Sequence, residues 1–97
     1  MSQHYVYFIK PCRETFLSDA TDEELALVGA HFEYLKAALE QGQLVLAGRT
    51  DQQFPIGIAI YSAESGEEAE EFMRADPAVK AGVFTGEFHP FGIALTC

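Results

Sequence analysis

Two segments of helical period, each opened by a hydroxyl residue three positions before a glutamate, alternate with short aromatic and β-branched runs. This alternation constrains the fold more than any other feature. Tyr5 to Ile9 reads as a first strand ended by Lys10-Pro11, and Cys12 to Ala20 as a loop. Thr21-Asp22-Glu23-Glu24 has the form of a capping box, and its acidic residues suit the positive end of a helix dipole. The helix is expected to run to about Gln41, with Gly42 as its stop. Leu25, Val28, Phe32, Leu35 and Leu39 form its expected core stripe. Leu44 to Gly48 and Ile56 to Tyr61 follow as strands, joined through Asp51–Pro55 as a hairpin. Ser65-Gly66-Glu67-Glu68 opens a second helix with Ala69, Phe72 and Met73 inward, broken at Asp76-Pro77. Val83 to Phe88 is a fourth strand, and Ile93 to Leu95 a short fifth.

The order β-α-β-β-α-β predicts an α+β fold of the ferredoxin-like, split-βαβ kind. Its antiparallel sheet carries both helices on one face. The 97 residues suit one domain, 1–97. The strands are apolar on both faces: Val6 and Phe8 against Tyr5, Tyr7 and Ile9, and Leu44 and Leu46 against Val45 and Ala47. An antiparallel sheet with a wet second face normally alternates with polar residues. A homodimer covering that face is therefore expected, because a bare apolar face invites aggregation.

Fifteen acidic residues against six basic give a net charge of -9. Such a field repels phosphate backbones and anionic lipid, so neither nucleic acid nor a membrane surface is an expected partner. No apolar run approaches the ~18 residues that a spanning helix needs. The N-terminal residues lack a basic, then apolar, leader pattern, and the cysteines Cys12 and Cys97 form no framework spacing. A cytoplasmic protein with two free thiols is expected.

His31 lies beside the expected core stripe, on a face shared with Leu27, Tyr34 and Ala38. Its imidazole could move a proton near neutral pH, while the plainer reading is a core-edge histidine bonded to a carbonyl. Asp76 could orient His31 or contact substrate; it equally suits an N-cap before Pro77. Arg13 and Arg49 are scarce cations at strand ends. Either could bind a carboxylate or phenolate, and each alone reads as well as a surface ion pair. Tyr34 is a further candidate to contact substrate. No metal-ligand spacing, phosphate loop or nucleophile elbow is present, so no metal and no cofactor is expected. Cys12 has no base near it in sequence and reads as incidental.

Arg13-Glu14-Thr15-Phe16-Leu17, His31-Phe32-Glu33-Tyr34-Leu35, Leu46-Ala47-Gly48-Arg49-Thr50, Asp76 through Val83 and His89-Pro90-Phe91 together resemble the YciI-like (YCII-related) proteins. The H-x-x-Y-L and D-P-x-x-x-A-G elements are the most specific parts. The resemblance covers nearly the whole chain and implies a dimeric α+β barrel, in which two sheets face one another. It implies an active site built on His31 and Asp76. Within the family and its wider superfamily it points to dehydrochlorinase and muconolactone isomerase-like chemistry. Relatives often carry Pro at the position of Arg49, so the resemblance lends that residue no role.

The combined expectation is a cofactor-free enzyme of lyase or isomerase type acting on a small cyclic or aromatic molecule. Elimination, isomerisation and lactone chemistry all fit His/Asp acid–base catalysis, with Arg13 holding an anionic group. The alternative is a non-catalytic dimeric module that binds a small molecule or serves as an accessory protein.

Overall fold

The computed structural model describes residues 3–96. The chain builds β1 (Gln3–Pro11), α1 (Phe16–Asp19), α2 (Asp22–Glu40), β2 (Leu44–Arg49), β3 (Gly57–Ala63), α3 (Gly66–Ala75), α4 (Pro77–Lys80) and β4 (Phe84–Pro90). The strands form one sheet in the order β2-β3-β1-β4, antiparallel throughout. This is the ferredoxin-like α+β arrangement, with helices packed on one face.

Local chemistry explains the element limits. Thr21 Oγ1 accepts the Glu24 N–H, and the Glu24 carboxylate accepts the Thr21 N–H, so the capping box closes both ways. Ser65 caps α3 by accepting the Glu68 N–H. Gly42 ends α2 with φ +82°, a conformation that side chains with a Cβ resist. Ile9 lies opposite both Gly57 and Gly86, and a Cβ on Gly57 would come within 2.6 Å of Ile9 Cγ1. The glycine there lets β3 carry the branched side chain across it.

The core lies between the sheet and α2 and α3. Tyr5, Tyr7, Ile9, Ala59, Tyr61 and Ala63 come from the strands, and Leu35, Ala38, Ala69, Phe72 and Met73 from the helices. Tyr61 and Phe72 stack with ring centroids 4.5 Å apart. A smaller cluster of Phe16, Ala78 and Val83 packs beside Leu27, Val28 and Phe84.

Three expectations are corrected. Leu25, Phe32 and Leu39 are 54%, 66% and 54% exposed, so of the expected core stripe of α2 only Val28 and Leu35 pack inward. The helix instead turns Leu27, Val28, His31, Tyr34, Leu35 and Ala38 inward. That roll lets the phenol of Tyr34 and the imidazole of His31 meet hydrogen-bond partners on the α3 side, which a buried polar group requires. The short helix α1 lies within the segment read as loop. Residues 91–96 form no strand; after the Phe91 N–H bonds His4 O, the segment reaches Leu46 and Ile60. Cys12 is free and exposed, while Cys97 lies outside the described residues.

Candidate active site

The break between α3 and α4 creates the site. Asp76 precedes Pro77, and the proline ring bars its predecessor from helical geometry. Asp76 accordingly takes φ -57° and ψ 124°, ending α3 and capping α4 in one residue. Its Oδ1 accepts the Ala78 N–H at 3.0 Å. Its Oδ2 accepts the Tyr7 hydroxyl at 2.7 Å and lies 2.6 Å from His31 Nδ1. Asp76 is fully buried, and a buried carboxylate is tolerated when donors surround it. Here three elements supply them: β1 through Tyr7, α2 through His31 and α4 through its first turn.

A carboxylate can only accept, so its contact assigns the proton of a neutral His31 to Nδ1. Nε2 then holds the lone pair, and it makes no hydrogen bond among the described residues. The His31 side chain is 14% exposed, and the edge-to-face Phe84 ring, 5.4 Å away between centroids, limits its movement. Burial, followed by the charge of Asp76, pushes the Tyr7 phenol far above its ordinary value. Tyr7 therefore remains a donor. Burial and then Asp76 also push Tyr34 up to about 12. The Tyr34 hydroxyl donates to Phe72 O at 2.8 Å, one turn before Asp76 on the same helix.

The two arginines lie apart from this cluster. Arg13 donates to both carboxylate oxygens of Glu24, at 2.7 Å each, and to Asp19 at 2.9 Å. Its guanidinium caps the Phe16 ring at 5.4 Å. Phe16 touches Phe84, which touches His31, so two rings separate Arg13 from the imidazole. The guanidinium ties the β1–α2 connection to the start of α2, and an anionic substrate would have to compete with two carboxylates for it. Arg49 is exposed at the end of β2, opposite Gly57, with no ion pair among the described residues. Among the described residues no hydrogen bond or ion pair joins it to His31 or Asp76.

Depressions of about 370 Å³ and 140 Å³ lie elsewhere. The larger is lined by Phe8, Lys10, Ile56, Thr85 and Glu87, and the smaller by Leu46, Ile60 and the 91–96 segment. Among the described residues no group of three or more His, Cys, Asp or Glu side chains could hold a metal ion. No helix among them is long and apolar enough to cross a membrane.

The YCII-related domain family matches residues 4–87, which include every residue of the cluster. The chain belongs to this family. Solved structures agree at the level of the fold. The 5-chloro-2-hydroxyhydroquinone dehydrochlorinase TftG of Burkholderia phenoliruptrix AC1100, solved with 2,5-dihydroxybenzoquinone, is 21% identical. The match covers 92% of this chain and 93% of that one, with a TM-score of 0.69. An uncharacterised Thermotoga maritima protein is 9% identical over 95% of this chain and 100% of its own, with a TM-score of 0.57. SnoaB, a cofactor-independent oxygenase from Streptomyces nogalater, is 13% identical over 98% and 95%, with a TM-score of 0.50. No curated protein sequence matches significantly.

The YCII-related chain thus brings together His31 and Asp76, with Tyr34 beside them, and leaves Arg13 and Arg49 outside the hydrogen-bonded cluster. Sequence reading missed Tyr7. Its strand reads as apolar on both faces, so nothing there singled it out, and the available signal was that a buried phenol needs an acceptor.

Proposed function

We propose that this YCII-related chain is an enzyme that moves protons on a small cyclic or aromatic molecule, with His31 as base and acid. The carrying observation is the 2.6 Å contact between His31 Nδ1 and a fully buried Asp76, which leaves Nε2 as the free nitrogen of a partly exposed ring. Asp76 fixes the tautomer and stabilises the imidazolium once Nε2 has taken a proton. In an elimination, Nε2 removes a proton beside the leaving group. The electron pair freed from that bond forms the new double bond, and the leaving group departs with its own pair. In an isomerisation, the imidazolium returns the proton at a different atom. The fold likeness to a dehydrochlorinase that acts on a chlorinated hydroxyhydroquinone, and to a cofactor-independent oxygenase, supports a small-molecule substrate, with a hydroquinone as the first candidate. Tyr34, whose hydroxyl is held by Phe72 O and whose ring packs on Phe72, is the remaining candidate to contact substrate. Arg13 enters only if a substrate anion displaces Asp19 or Glu24.

The test is a screen of the purified protein on chlorinated hydroquinones and enol lactones, followed by His31→Ala on any substrate turned over. Loss of at least about 100-fold in kcat/KM is expected, the range typical for removing a positioned acid–base group. Full activity of the variant would refute the proposal.

A second reading rests on the depression of about 370 Å³, which His31 does not line. In that reading the chain binds a small molecule on the sheet without transforming it. A ligand that binds equally well to His31→Ala, with no turnover by the parent protein, would support it.

A further inference from the structure

Tyr7 is a buried titratable group for which the proton-transfer scheme above has no use. It is fully buried in the middle of β1, and its hydroxyl donates at 2.7 Å to Asp76 Oδ2. That is the same oxygen that faces His31 Nδ1, although among the described residues Oδ1 accepts the Ala78 N–H alone. If the phenol served only to avoid an unpaired hydroxyl, either oxygen would suffice. On Oδ2 it shares the lone pairs and negative charge that His31 also uses.

We propose that Tyr7 is a positioning residue that sets the basicity of His31 through Asp76. The inference rests on the His31–Asp76 reading above. By donating to Oδ2, Tyr7 withdraws charge from the atom that stabilises the imidazolium, so the ring releases its proton more readily. It also pins the carboxylate from β1, while the Ala78 N–H pins it from α4. The imidazole meets Asp76 at the α3–α4 break and the uncharged Phe84 ring on β4, and the Asp76 carboxylate is faced in turn by Tyr7 on β1 and, through its charge, by Tyr34 on α2.

The experiment needs no substrate. The Cε1–H resonance of His31 is followed by NMR from pH 4 to 9 in the parent protein and in Tyr7→Phe, Asp76→Asn, the double variant and Tyr61→Phe. Tyr61→Phe is the matched control. It also removes a buried hydroxyl, one that donates to Ala69 O at 2.7 Å, but that hydroxyl does not touch Asp76. Tyr7→Phe is expected to move the His31 midpoint up by roughly half a pH unit or more, because the carboxylate charge is then shared with one donor fewer. Tyr61→Phe should leave it in place. In the Asp76→Asn background the Tyr7 substitution should have no further effect.

An unmoved midpoint in a folded Tyr7→Phe, or an equal movement in Tyr61→Phe, overturns the role of Tyr7. If Asp76→Asn itself leaves the midpoint unchanged, the His31–Asp76 reading falls as well, so the two failures are distinguishable. Should Tyr7→Phe fail to fold, the parent protein provides the test. The Tyr7 Cζ resonance should titrate with the midpoint of His31, and a flat Cζ resonance would refute the coupling.

Discussion

At the scale of single residues, the clearest lesson is that one side chain can hold two posts. Asp76 reads in sequence as a helix cap before proline, and also as the partner of His31. Its two oxygens divide the work, with Oδ1 on the Ala78 N–H and Oδ2 toward His31. Both readings were legible because short-range and family patterns pointed to the same position. Tyr7 was not legible, since its partner is 69 positions away and only the folded sheet brings it there. Glu24 offers a residue-scale prediction. Arg13, and then the Thr21 backbone N–H, hold its carboxyl down at about 2, against an ordinary value of 4.5. A lowered folded-state value means that the unfolded chain binds the proton more readily. The stabilisation is therefore complete above about pH 4.5 and is lost as pH falls toward 2. In Glu24→Gln, melting temperature measured from pH 6 to pH 3 should fall less steeply than in the parent protein. The difference should shrink in high salt, because the pair sits near the surface. Parallel slopes would show that the Arg13–Glu24 pair contributes nothing to folding.

At the scale of elements, the strands and helices follow from local signals, and the orientation of α2 does not. Thr21, Gly42, Ser65 and Pro77 mark their boundaries through chemistry confined to a few neighbouring residues. The rotation of a helix about its axis depends instead on which face finds the better partner. Counting apolar residues favours the face with Leu25, Phe32 and Leu39. The structure buries the mixed face, because the polar groups of His31 and Tyr34 are satisfied by Asp76 and Phe72 O. This ordering can be measured by chemical denaturation. Leu35→Ala removes a buried side chain and should cost about 2–5 kcal/mol, the range for large-to-small core changes. Phe32→Ala removes a larger side chain from an exposed position and should cost about 0.5 kcal/mol or less. A reversed order would return α2 to the rotation that its apolar pattern suggests.

At the scale of the whole molecule, the unexplained surface is the sheet face opposite the helices. By register, Val6, Phe8, Leu46, Ile58 and Ile60 share that face, since each pairs across the ladder with another of the set or with a polar residue of β4. The 91–96 segment reaches Leu46 and Ile60 but leaves the depression beside Phe8 and Ile56 open. Burying apolar area is worth roughly 25 cal/mol per Å², so a second copy laid sheet to sheet has a clear driving force. A two-fold axis would place the same residues on both sides of the contact. The expected assembly is thus a homodimer, as the family resemblance also implies. Sedimentation velocity should give twice the chain mass of 10.7 kDa. Phe8→Glu or Ile60→Glu would place like charges face to face across the axis, in a chain already at -9, and should yield monomers. His31 lies on α2, on the other side of the sheet, so its contact with Asp76 should survive in those monomers. A soluble parent protein sedimenting at the single-chain mass would refute the dimer, and the apolar face would then have to be explained by ligand binding.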